Sequence, residues 1–167
     1  MEAVWIGLDG QISIELILHA LKERFNLSKC LECSLDTLCE LLESLNLKNI
    51  HDDKSIVFYT IKKNESEFPT VIEFLWFEDY LPGVRIDIYI AYYLSRVFNC
   101  WTITDATGLG IDKNVPYWDI VFDCGKAYLG DDSGTKFFDE GEEPVKLVRE
   151  LDLNEIIPNF NKVIREK

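Results

Sequence analysis

The chain has 167 residues, with 47% hydrophobic and 13% aromatic side chains, which excludes a disordered polymer and suits one folded domain over residues 1–167. Thirty carboxylates against 17 basic residues leave a net charge of −13. A surface of that sign repels nucleic-acid phosphates and steers the protein toward cationic surfaces, so the partner expected is a basic protein and not a nucleic acid. The five cysteines follow no regular framework and fit reduced thiols.

Met1-Glu2-Ala3-Val4-Trp5 lacks the basic start, apolar run and small-residue cleavage site of a secretory signal. No apolar run reaches the roughly 20 uncharged residues needed to span a bilayer. The expectation is a cytoplasmic protein with no membrane partner.

In chain order, VWIGL (residues 4–8) reads as a short strand or packed arm closed by Asp9-Gly10. From Ile12 to Phe25, Ile12, Leu16, Ile17, Ala20, Leu21 and Phe25 recur at helical spacing. Ser34 then suits the N-cap of a second helix, Leu35–Leu45, and the short link predicts a helical hairpin. Ile56–Lys62 and Thr70–Phe77 are rich in β-branched and aromatic residues and predict a β-hairpin around the polar turn 63–67.

The most apolar stretch runs from Val84 to Asp105. Ile86, Ile90, Leu94 and Val97 share a helical face, although Val84–Ile90 also alternates as a strand would. The length and the terminator Asn99 favour a helix over most of 84–99. Trp101–Asp105 and Tyr117–Cys124 read as strands, the second with Trp118, Ile120, Phe122 and Cys124 on one face and Tyr117, Asp119, Val121 and Asp123 on the other. Residues 125–144 read as loop, Val145–Leu151 as helical or extended, and Asp152 with Glu155 as a capping box opening a last helix toward Arg165. The fold class expected is α+β: an N-terminal helical hairpin, a mainly antiparallel sheet with a packed helix, and a C-terminal helix.

No catalytic constellation stands out. Cys30-Leu31-Glu32-Cys33 has the spacing of a zinc or redox motif, with Cys39 six residues beyond. A structural zinc site needs four ligands, and no second pair is present. A redox motif belongs after a strand and at the start of a helix, whereas this one is expected between two helices. His19 and His51, the only histidines, have no recognisable nucleophile to serve. Gly108-Leu109-Gly110 lacks the glycine spacing of a phosphate loop and is flanked by Asp105 and Asp112. No catalytic residue, metal ligand or cofactor is assigned.

The polar feature that remains is acidic. Residues 105–143 hold ten carboxylates and three lysines, with Tyr117, Trp118, Tyr128, Phe137 and Phe138 interleaved. Three readings compete: a solvated acidic surface, a docking face for a basic protein, and a carboxylate-based divalent-metal site in an enzyme. The docking reading assigns Asp105, Asp112, Tyr117, Asp119, Asp123, Tyr128, Asp131 and Asp132 to partner binding. A structural or regulatory subunit, using its apolar helices as an interface, is a further alternative.

This combination of small α+β architecture, acidic and aromatic second half and no catalytic constellation resembles the immunity proteins that bacteria pair with polymorphic or contact-dependent growth inhibition toxins. The resemblance implies a one-to-one complex that neutralises a basic, nuclease-like toxin domain, and no catalysis. Immunity families are diverse, so it assigns no individual residue.

Overall fold

A computed structural model describes residues 4–34, 36–48, 53–75, 85–110, 117–137 and 141–157. Among these residues, eight strands form one mixed, mainly antiparallel sheet in the order β2-β3-β4-β1-β5-β6-β7-β8. The strands are β1 (Val4–Leu8), β2 (Lys29–Glu32), β3 (Ile56–Lys63), β4 (Thr70–Phe74), β5 (Trp101–Asp105), β6 (Trp118–Asp123), β7 (Lys126–Asp131) and β8 (Lys146–Leu151). The helices among the described residues are α1 (Ile14–Phe25), α2 (Leu38–Ser44), α3 (Ile86–Phe98) and α4 (Leu153–Ile156).

The chain is α+β, as its sequence predicts, but it opens on a strand in the middle of the sheet. β1 pairs antiparallel with β4 (Val4↔Phe74) on one side and with β5 (Gly7↔Ile103) on the other. Ile6 and Leu8 are fully buried on its helical face, and its far face is kept thin by Gly7. A Cβ at position 7 would lie 2.6 Å from Ile103 Cγ2 and 3.2 Å from the Phe137 ring, so glycine is what lets that ring lie against the sheet.

α1 forms because its apolar side chains recur on one stripe. Ile17, Ala20, Leu21 and Phe25 are buried, while Ser13 caps the first turn by accepting from Leu16 N at 3.4 Å. Asn26, at φ 53°, ends the helix in the left-handed conformation. α3 is buried on most of its circumference, from Asp87 to Ser95, and Asn99 at φ 51° stops it. The helical periodicity of 86–98 therefore prevails over the strand-like alternation. Helices α1 and α3 bury Ile6, Leu8, Val57, Ile72, Phe74, Ile120 and Phe122 against one face of the sheet, the main core.

The N-terminal helical hairpin is not found. β2 lies between α1 and α2 and pairs in parallel with β3 (Cys30↔Val57), making a β2-α2-β3 unit in which α2 covers Ile56 and Phe58. Ser34 does not cap α2: the helix begins at Leu38 after Thr37, and Ser34 instead bonds Thr37 in the preceding turn. The loop expected over 125–144 is also corrected, since Lys126–Asp131 is strand β7, paired with β6 along its whole length. Val145–Leu151 resolves as extended, with β8 at the sheet edge.

The C-terminal helix is α4 alone among the described residues. Asp152 caps it by accepting from Asn154 N at 2.9 Å, but the capping box is not closed, because Glu155 turns to Arg149 instead. Its expected continuation toward Arg165 lies outside the described residues, as do Trp76 and Phe77 of the second hairpin strand.

No described helix is long and apolar enough to cross a membrane.

Candidate functional site

Strand alternation sends Trp118, Ile120 and Phe122 toward α3 and Asp119, Val121 and Asp123 to the opposite face. About four residues of strand, or roughly 13 Å, separate Asp119 from Asp123. The predicted docking residues are accordingly divided between the two ends of β6.

At the first end the carboxylates turn inward. Asp119 pairs directly with Asp105 across the ladder, and both Asp119 and Asp132 are buried, 3% and 4% exposed. Asp131 is half-buried beside them, and Tyr117, 43% exposed, marks the rim. Asp112 and His51 lie outside the described residues.

Asp105 is spoken for: it accepts from Thr107 N and Oγ1, at 2.9 and 2.6 Å, and from Arg85 Nη2 at 3.3 Å. The same Arg85 donates to Asp87 and to the carbonyls of Asp105 and Thr107. This cation is half-buried and neutralises the α3 end of the cluster, but no contact of it reaches Asp119.

Asp119 is the unusual group. Its Oδ2 is buried and finds no N–H or O–H donor among the described residues. Burial pushes its acid well above the ordinary carboxylate value, and the charges of Asp132, Asp105 and Asp131 push it in the same direction. A side-chain hydrogen bond with Asp132 pushes it the same way.

A raised folded value means that the folded chain holds a proton the unfolded chain has released. This contribution to stability is complete below the unfolded value of 3.8 and is lost as pH rises through the folded one. Asp119→Asn mimics the neutral acid and keeps a donor for Asp132. It is expected to stabilise the protein at pH 8 by about 1–3 kcal/mol, the cost of a buried polar group left unsatisfied. That is a rise in Tm of roughly 2–4 °C per kcal/mol for a chain of this size. The gain should shrink toward pH 4 in thermal scans. An equal effect at both pH values would show that Asp119 is not the titrating group.

Among the described residues no group of three or more His, Cys, Asp or Glu is placed to hold a metal ion. The CxxC, expected between two helices, lies instead on a strand that leads into α2 in the parallel β2-α2-β3 unit. Cys30 lies within β2 and Cys33 at its end, five residues before α2 begins. Burial raises both thiols, which disfavours the thiolate that metal binding or redox exchange needs. His19 is exposed on α1, 3.4 Å from Glu23.

The other end of β6 faces outward. Asp123 stands between Trp101 of β5 and the exposed Lys126 of β7, and in the next row of the same face Tyr128 stands between Val121 and Glu150 of β8. Trp101 packs partly on the Ile103–Val121–Phe137 cluster, which places both rows on the face opposite α3. Asp123, Tyr128 and Trp101 are half-buried and Glu150 is exposed. Leu147, opposite Gly130 on the same face, is 41% exposed.

No family model matches the chain, and no curated protein or solved structure resembles it closely enough to lend it a family.

Of the residues assigned to docking, Asp123 and Tyr128 belong to this surface patch, while Asp119 and Asp132 are interior. Sequence reasoning missed Trp101, Leu147 and Glu150. Trp101 and Glu150 could have been found by continuing the alternation of residues 117–124 across to their neighbours, but only once the strand order was known.

Proposed function

We propose that the chain is an acidic protein-binding module, an inhibitor of the immunity type that neutralises a basic, nuclease-like toxin domain by direct complex formation. The observation that carries this reading is an outward patch of two neighbouring rows on one sheet face, Trp101–Asp123–Lys126 and Val121–Tyr128–Glu150, ending at Leu147 on the edge strand. Half-exposed aromatics supply anchors that lose water on contact, and carboxylates beside them set approach rate and register against lysines and arginines. β8 extends the patch: five of its six residues are exposed, and among the described residues only β7 pairs with it. An edge strand with Val148 52% exposed and acids at Glu142, Glu143, Glu150 and Asp152 beside its own Lys146 and Arg149 suits an extended basic segment.

The test starts from the neighbouring gene, where a product ending in a basic nuclease-like domain is the expected partner. Calorimetry of the two proteins should give a one-to-one complex that weakens as salt rises. Asp123→Lys and Tyr128→Ala should each weaken it about ten-fold or more, whereas Asp119→Asn, being interior, should leave affinity unchanged. Unchanged affinity in both surface variants would remove this patch from the interface.

A further inference from the structure

A second polar site lies on the opposite, helical side of the sheet, and its charge is positive. Arg24 near the end of α1 and Arg96 near the end of α3 line a pocket of about 310 Å³ with Tyr89, Tyr92, Tyr93 and Val97. The Arg24 guanidinium lies 5.4 Å from the Tyr89 ring centre and 5.6 Å from that of Tyr93, and Arg96 lies 5.8 Å from the Tyr92 ring. Arg24 donates to the Tyr89 hydroxyl, and Arg96 Nη1 donates to the Tyr92 hydroxyl at 3.0 Å.

Three observations set this pocket apart from surface arginines that lie down on aromatic rings. Neither guanidinium is ion-paired among the described residues, in a chain that has 30 carboxylates. Arg24 Nε is buried and has no acceptor there, a donor in want of a partner. Arg96 is also held in place by the fold. The tight turn between β6 and β7 puts Gly125 at φ +91°, where a Cβ would lie 2.7 and 2.8 Å from Arg96 Cγ and Cδ. Gly125 is thus what admits the arginine stem, and its N–H donates to Ser95 Oγ at 3.1 Å, tying the turn to α3.

We propose that this pocket binds a small aromatic anion, a carboxylate or phosphate carried on a planar ring. Guanidinium forks match both oxyanions, and half-buried Tyr93 with Val97, 48% exposed at the rim, offers apolar surface to a flat ring, while Tyr89 and Tyr92 are buried beneath the arginines. The volume suits a ligand of that size. The overall charge of −13 opposes casual anion binding, so an anion that does bind is held by this site. The site is independent of the docking patch on the other face.

The test is a calorimetric and NMR titration of the full chain at low ionic strength with phenyl phosphate, benzoate, inorganic phosphate and benzyl alcohol. Phenyl phosphate or benzoate should bind saturably with a Kd of about 1 mM or tighter, at least ten-fold tighter than inorganic phosphate, and benzyl alcohol should not saturate. Arg96→Gln should weaken the aromatic anions about ten-fold or more, and Arg96→Lys, which keeps the charge but loses the fork, should weaken them less. Arg24→Gln should act as Arg96→Gln does, and Arg96, being the more exposed position, serves if the Arg24 variant folds poorly. Absence of saturable binding by either aromatic anion would overturn the proposal. So would equal binding of inorganic phosphate, or an Arg96→Gln variant that binds like the parent.

Discussion

Replacing Arg85 with Met is expected to cost about 3–5 kcal/mol of folding stability, the penalty for stripping the partner from a buried charge. Asp87 is 5% exposed in the first turn of α3, and its carboxylate receives Arg85 Nε at 3.2 Å, Arg85 Nη2, and Thr104 Oγ1 at 3.3 Å. Burial draws the Arg85 pKa down, but bonding to Asp87 and the charges of Asp87 and Asp105 outweigh it and leave it raised, so the guanidinium stays charged. Methionine fills the space of the stem and supplies no donor. Asp87 would keep only Thr104 and the weak pull of the helix N-terminus.

The same change frees the carbonyls of Asp105 and Thr107, which Arg85 ties to the start of α3. In urea titrations the loss should appear as a lower midpoint with an unchanged slope, and Tm should fall by roughly 6–20 °C for a chain of this length. Arg85→Met combined with Asp87→Leu removes both charges and should recover most of the loss. A single variant that costs less than about 1 kcal/mol would mean that water, not Arg85, compensates Asp87.

Much of the sheet and its main helix was legible in the sequence because those elements carry strong local signals. β3 through β6 are dense in β-branched and aromatic residues, and Asn99 ends α3 where an asparagine readily takes positive φ. The misses share one cause. β2 is four residues of mixed polarity, Lys-Cys-Leu-Glu, whose strand character comes from pairing with β3, and β7 contains Ala127 and Gly130, both poor strand formers. Such strands exist only because a neighbour offers a ladder, and no single-segment pattern reports that.

The site fared likewise. Alternation correctly put Asp119 and Asp123 on one face, yet could not show that the chain near Asp132 buries only the first. Arg85 and Asp87, two residues apart in sequence, form an ion pair with Asp105 beside them because the start of α3 lies against β5, which no local pattern reports. Arg24 and Arg96, 72 positions apart in the sequence, meet only through the packing of α1 on α3.

Phe137→Ala is the second large effect, about 3–5 kcal/mol for an emptied aromatic site. The ring is 3% exposed and forms the cover of the sheet face opposite α3, with its centre 5.3 Å from Trp5 and 5.6 Å from Phe68. Its backbone is fixed independently: Asn64 Nδ2 donates to Phe137 O at 2.9 Å, and Phe137 N donates to Thr135 Oγ1 at 3.2 Å. The surroundings are therefore held open and cannot collapse into the void, which places the cost toward the upper part of that range. Tryptophan emission should shift to the red, since Trp5 and Trp101 both pack on this cluster. Phe137→Leu, which refills most of the volume, should cost about half as much or less.

The variant also discriminates between two explanations of the buried acid. Thr135 N bonds Asp132 O at 3.1 Å, so the segment that Phe137 anchors is the one that carries Asp132 over Asp119. If this anchoring is what keeps Asp119 dry, Phe137→Ala should flatten the fall in stability with rising pH as well as lower the stability itself. An unchanged slope would show that the β6–β7 ladder alone excludes water from Asp119, and that the aromatic cover and the acid cluster are separate features of the same face.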